Sequence, residues 1–264
     1  IVELADYHYK HGGTHLYLDE VHRYPRPNSE QELKNIYDSY PGLCVVFTCS
    51  SLLQLNSKVA DLSRRVAVYE LRGLSFREYL NFTGNYGLKS VKLAEILSNH
   101  RDIASRIIPT IRVIREFDRY LEKGYYPFFM DSSEFTYSQR VERLVLSVID
   151  IDIPAVAALE YETQLKLKKL LVTLAEQVPF VPNMTNLSRD VEVSRNQLMK
   201  FFTLLSEGSI LRTLMDATTQ PKRASKPEKI LFDNPSVMQA LGIMNKAGTV
   251  RESFVASMLS STGR

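Results

Sequence analysis

The stretch that most constrains this chain is Thr14 to Pro25, reading T-H-L-Y-L-D-E-V-H-R-Y-P. Leu16, Tyr17 and Leu18 run without polar alternation into Asp19 and Glu20. A short apolar run of this kind reads as a strand buried on both faces of a parallel sheet. Two carboxylates at its carboxyl end stand where open α/β sheets hold their ligands. They also suit a following helix N-terminus, whose dipole favours negative charge. The rest of the chain has to decide between these readings.

The neighbouring segments continue an α/β pattern. Ile1–Tyr9 reads as the end of a helix, with Gly12-Gly13 as its stop signal. Asn28 to Tyr37 reads as a helix capped by Asn28 or Ser29, with Glu32 downstream. Pro41-Gly42 turns the chain into Leu43–Phe47, a second buried strand that ends in Thr48-Cys49-Ser50-Ser51. A helix is expected from Ser50 or Ser51 to Leu55, and a third strand over Val66–Leu71. Strands alternating with helices argue for a parallel sheet with right-handed crossovers. Ser75 followed by Glu78 has the spacing of a capping box.

Helical spacing then takes over, in Val91–Leu97, Ile111–Lys123, Ser138–Val148 and Thr163–Val178. Gly124 to Phe128 is a turn between two of these helices. A short helix follows at Asn186–Val191. Ser194 caps another over Arg195–Ser206, with Leu198, Phe201, Phe202 and Leu205 inward and Gly208 as its stop. Ile210–Met215 and Lys229–Phe232 read as paired strands. Three helices and a β-ribbon in this order predict a winged helix-turn-helix. The expected fold class is therefore α/β plus α, an incomplete parallel sheet, a helical region, then a winged helix. The expected divisions are residues 1–82, a lid-like helical region over 83–162, the winged helix over 163–232, and the start of a further domain over 233–264.

Several residues carry chemistry in this arrangement. An apolar strand ending in Asp-Glu is the Walker B layout of nucleoside triphosphatases. Asp19 would hold Mg²⁺ through water, and Glu20 would polarise the attacking water. At the end of the next strand Ser50, or failing it Thr48, would sense the γ-phosphate, although such residues also cap helices. Arg64 and Arg65 carry guanidinium forks suited to phosphate oxygens, one of them as a finger reaching a neighbouring subunit's nucleotide. A surface arginine pair is the plainer alternative. A finger would make a homo-oligomer one expected assembly. From Ser188 to Lys229 eight bases face five acids, an excess equal to the whole-chain net charge of +3. Arg195, Asn196 and Lys200 begin the expected recognition helix and could meet a DNA major groove or a protein partner.

Absences bound the reading further. None of the 11 glycines is followed by Lys, so the G-K-[ST] of a phosphate-cradling P-loop is missing. The Ile start favours truncation over degeneracy, and a fragment without that loop is expected to be inactive alone. The five His and two Cys show no zinc spacing. Cys44 and Cys49 read as reduced thiols of a cytosolic protein. No apolar run approaches the ~18 residues of a membrane span.

The ordered set T-H-L-Y-L-D-E-V-H-R-Y-P, V-V-F-T-C-S-S-L-L and D-L-S-R-R-V-A-V-Y-E-L-R-G-L-S-F-R-E-Y-L resembles the AAA-type ATPases of bacteria and archaea that carry a fused C-terminal domain of unknown function. G-Y-Y-P-F at 124–128, V-P-F-V-P-N at 178–183, K-P-E-K-I-L-F-D-N at 226–234 and G-T-V-R-E-S-F at 248–254 extend the likeness over nearly the whole chain. The resemblance implies that the incomplete parallel sheet is an AAA-type sheet and belongs to an ATPase module using ATP and Mg²⁺, with Asp19 and Glu20 in the Walker B roles, Ser50 as sensor and Arg65 as finger. It also implies a winged helix and, beyond this chain, a segment similar to restriction-endonuclease folds. Cys49 departs from the glycine usual at its position.

Overall fold

The computed structural model describes residues 1–21, 24, 29–49, 62, 65–177, 182–215, 226–243 and 247–260. Its N-terminal part alternates helix and strand: α1 (Val2–Lys10), β1 (His15–Leu18), α2 (Ser29–Ser39) and β2 (Cys44–Phe47). β1 and β2 pair in parallel, with His15 opposite Cys44 and Leu18 opposite Phe47. Gly12 takes the left-handed turn between α1 and β1, at φ +82°, a conformation glycine adopts without a Cβ penalty. Leu16, Ala5 and Ile36 form a small core, with Leu18 and Val45 packed against it.

That core covers one face of the sheet only. Tyr17 remains 72% exposed and Val46 45%, so β1 is not buried on both faces as its sequence suggested. Leu16 and Tyr17 point to opposite faces, and the packed core lies on the face of Leu16. The third strand is a second correction. Residues 66–71 have no regular structure, and Leu71 is fully exposed. V-A-V-Y-E-L has the composition of a strand, but a strand exists only where a neighbour completes its ladder. Among the described residues none pairs with it.

The chain then enters a helical body. α3 (Phe76–Gly84) opens with the expected capping box: Ser75 Oγ accepts from the Glu78 amide at 3.3 Å, and Glu78 Oε2 accepts from the Ser75 amide at 2.8 Å. Ser75→Ala is expected to cost about 1 kcal/mol, a fall of about 2–4 °C in melting midpoint for a chain of this size. An unchanged midpoint would show that the cap adds nothing. α4 (Leu93–Ile107) buries none of its residues. α5 (Val113–Lys123) follows, then a 3₁₀ turn at Pro127–Asp131 and α6 (Glu134–Ser147). α6 widens into a π segment, Val148–Asp152, before α7 (Ile153–Ala157). Pro154 has no N–H to donate four residues back, which is where such a ladder loosens.

α8 (Tyr161–Gln177), α9 (Met184–Val191) and α10 (Arg195–Glu207) precede an antiparallel ribbon of β3 (Leu211–Leu214) and β4 (Lys229–Phe232). Ser194 caps α10 by accepting from Gln197 at 3.1 Å. Leu198, Phe201, Phe202 and Leu205 are all buried, as their spacing required. α11 (Pro235–Ala240) and α12 (Ala247–Ser260) complete the body. One hydrophobic core runs from Tyr79 in α3 to Val250 in α12 and includes the fully buried Tyr120, Tyr137, Phe201 and Phe232. The residues just before α3 are held to this body. The Leu74 amide donates to the Tyr125 carbonyl at 2.7 Å, and Tyr120 Oη donates to the Leu74 carbonyl at 2.7 Å. A Cβ on Gly73 would lie 2.3 Å from the Tyr125 ring. Among the described residues no helix is long and apolar enough to cross a membrane.

Candidate functional site

The carboxyl ends of β1 and β2 meet at one side chain. The Thr48 amide donates to the Leu18 carbonyl at 2.9 Å, and the Val21 amide donates to the Thr48 carbonyl at 3.1 Å. This ladder places the Thr48 hydroxyl between the two acids. It donates to Asp19 Oδ1 and accepts from the Glu20 amide at 3.0 Å. A hydroxyl has one proton and two lone pairs, so it can do both at once. Glu20 sits at φ +53°, the left-handed region that non-glycine residues seldom occupy. Backbone strain of this kind concentrates at functional sites. Asp19 is exposed and Glu20 half-buried.

Arg65 lines the same cleft as Asp19 and Glu20. Its Nε and Nη2 donate to Asp38 Oδ1 and Oδ2, each at 3.1 Å, and its guanidinium lies 5.9 Å from the Tyr37 ring centroid. The fork expected to reach a neighbouring subunit thus holds an acid of its own chain. Asp38 was not visible as a partner in sequence. Ser50 and Arg64 lie outside the described residues, as do the start of the helix expected from Ser50 or Ser51 and the Asn28 cap.

The cleft, of about 1300 Å³, continues from the strand ends to the helical body. Its far wall holds a polar cluster. Arg212 on β3 forms an ion pair with Asp233, which is 8% exposed. Asn234 Nδ2 donates to Asp233 Oδ2 and to Tyr126 Oη, each at 3.3 Å. Burial raises the Asp233 carboxyl above its ordinary range against the opposing pull of Arg212. Arg72 donates to Glu70 at 2.7 Å and to Ser260 Oγ at 2.6 Å. Tyr137, whose phenol burial pushes up to about 12, shares a 2.7 Å hydrogen bond with Ser236. R-G-L-S-F, G-Y-Y-P-F and K-P-E-K-I-L-F-D-N all contribute to this cluster. The sequence signal for it was therefore present, but its partners were not. Arg195, Asn196 and Lys200 lie elsewhere, together in a separate groove.

Comparison with known proteins bears on both parts. Residues 1–80 match an AAA domain. Residues 114–247, more than half of the chain, match the family described as Domain of unknown function (DUF8612). The chain belongs to the DUF8612 family. Joined to an AAA-like segment, this DUF8612 protein is 27% identical over 238 residues to the uncharacterized protein MJ1637 of Methanocaldococcus jannaschii, covering 89% of the chain and 49% of the relative. The chain thus spans about half the length of the curated relative it matches. No solved structure matches it significantly. These matches support the AAA-like part of the resemblance and carry nothing for a nuclease-like segment.

Proposed function

We propose that residues 1–80 supply the metal- and water-handling half of an ATP-hydrolysing AAA-type switch. The carrying observation is the Thr48 hydroxyl, which ties the Asp19 carboxylate and the Glu20 backbone together at the ends of a parallel strand pair. Among the described residues no group of three or more His, Cys, Asp or Glu could hold a metal. Mg²⁺ binds through one or two carboxylates, waters and substrate phosphates, and Asp19 at the strand end offers such a carboxylate. Asp19 would hold the ion, and Mg²⁺ would offset the charge developing on the transferred phosphoryl group. Glu20 accepts a proton from, or orients, the attacking water. Thr48 holds Asp19 in place and takes the sensor position on this strand, where Ser50 is the other candidate. Arg65 can serve as a finger after leaving Asp38. Both partners are substantially exposed, 33% and 53%, so solvent screens the pair and its release costs little.

The phosphate cradle comes from outside residues 1–264 in this reading. Cys44 and Thr48 donate to Thr14 and Leu18 on β1, so the alternate residues Val45 and Phe47 turn their backbone groups to the other edge. Among the described residues no strand occupies that edge. Residues 66–71 line the cleft beside it and make no backbone hydrogen bond among the described residues. A strand carrying a Gly-Lys loop would satisfy both rows of groups.

Residues 1–264 alone are therefore expected not to bind ATP at micromolar concentration, as read by titration calorimetry. Micromolar binding would overturn the split-site reading. In the intact protein, Thr48→Val keeps the side-chain shape and removes the hydroxyl. ATP turnover is expected to fall about tenfold or more, with the melting midpoint within a few degrees of the parent. Unchanged turnover would remove Thr48 from the site.

A further inference from the structure

We propose that the groove between the N-terminal ends of α9 and α10 is a docking site for the phosphate backbone and major groove of duplex DNA. The groove has a volume of about 860 Å³ and is lined by Arg195, Asn196, Lys200 and Thr203 of α10, Thr185 of α9, and Lys226 from the connection between β3 and β4. No acid lines it.

Charge pairing singles this groove out. Between Tyr161 and Ala240, most described bases have a carboxylate partner. Lys166 holds Glu162, Lys168 holds Asp150, Lys169 holds Glu192, Arg189 holds Asp190, Arg212 holds Asp233 and Lys229 holds Glu252. The described bases of this stretch without such a partner are Arg195, Lys200 and Lys226, and all three line the groove. They come from two elements more than twenty residues apart in sequence, so the fold gathers them. Arg195 is anchored by a hydrogen bond to the Thr185 hydroxyl. That bond orients its guanidinium without neutralising it. Unneutralised, clustered cations are the footprint of a polyanion.

Shape argues for a duplex in particular. α10 buries Leu198, Phe201, Phe202 and Leu205 and exposes Arg195, Asn196, Lys200 and Thr203. That exposed face is about 12 Å long at 1.5 Å per residue, and a major groove about 12 Å wide admits a helix. The helix is presented by its N-terminal end, with α9 crossing before it and a β-ribbon after it, the docking arrangement of helix-turn-helix readers. Arg195 and Asn196 are the residue types that read guanine and adenine edges, whereas Lys200 and Lys226 suit phosphates.

The test is fluorescence anisotropy of the full chain with a labelled duplex of mixed sequence, without nucleotide, so the result is independent of the ATPase reading. Binding at low salt is expected, with log K falling against log salt at a slope of about −2 to −3. Lys200→Gln and Lys226→Gln should each lower the slope by about one, and the pair should weaken binding about tenfold. Lys168→Gln, which removes a paired base elsewhere, should leave binding unchanged. These residues are solvent-facing, and circular dichroism will confirm folding. No binding at low salt overturns the proposal. So does equal loss in Lys168→Gln, which would show only a diffuse charge effect. Displacement of the duplex by polyglutamate of equal charge would assign the groove to an acidic protein and overturn it too.

Discussion

Replacing Arg212 with Met is expected to destabilise the helical body by about 3–5 kcal/mol, a large part of the about 5–15 kcal/mol that holds a domain together. Met keeps much of the arginine stem's volume, so the loss is electrostatic. Asp233 is 8% exposed and has Arg212 as its ion-pair partner. Without it, a buried carboxylate keeps only the weak support of Asn234 at 3.3 Å and the more distant Arg72. The pH dependence has a definite sign. Burial already raises the folded-state Asp233 pKa above its ordinary 3.8, and loss of the cation raises it further. The folded state then binds more protons than the unfolded state between 3.8 and that raised value, so stability falls as pH rises through this window. The cost is full above the folded pKa and disappears below 3.8, where Asp233 is protonated in both states. Urea midpoints at about pH 8 and about pH 4.5 should therefore differ for Arg212→Met relative to the parent, with the deficit larger at the higher pH. Arg212→Met with Asp233→Asn should recover most of the loss, because no buried charge remains. A deficit below 1 kcal/mol, or one equal at the two pH values, would show that this pair is not an occluded ion pair.

The legible parts of this molecule are those whose determinants lie within one turn of the chain. Ser75 and Glu78, Ser194 and its helix, and the Pro41-Gly42 turn all act on neighbours, and the structure carries them as the residues suggest. The parallel pairing of β1 with β2 was readable from two apolar runs separated by a helix. What escaped sequence reasoning is nonlocal. V-A-V-Y-E-L looks like a strand, yet among the described residues it has no neighbour to pair with. Arg65 meets Asp38 from 27 positions away. Arg212 meets Asp233 across a ribbon. The charge count between Ser188 and Lys229 found an excess of bases, but only the pairings show which bases are left over. The candidate site divides in the same way. Asp19 and Glu20 stood out by position, whereas the contact of the Thr48 hydroxyl with Asp19 spans 29 positions and comes only from the pairing of the two strands.

In the intact protein, Glu20→Gln is expected to lower ATP turnover at least about 100-fold while leaving nucleotide affinity within about threefold of the parent. Gln has nearly the shape of Glu, and the backbone amide that donates to Thr48 Oγ1 at 3.0 Å is untouched. What is lost is a basic oxygen for the attacking water. Phosphate release measures turnover, and a fluorescent nucleotide measures affinity. Retained turnover would exclude Glu20 from the chemistry, and a parallel loss of affinity would mark it as a binding group. Glu20→Gly should likewise abolish turnover, and at φ +53° glycine meets none of the backbone strain that a side chain costs there.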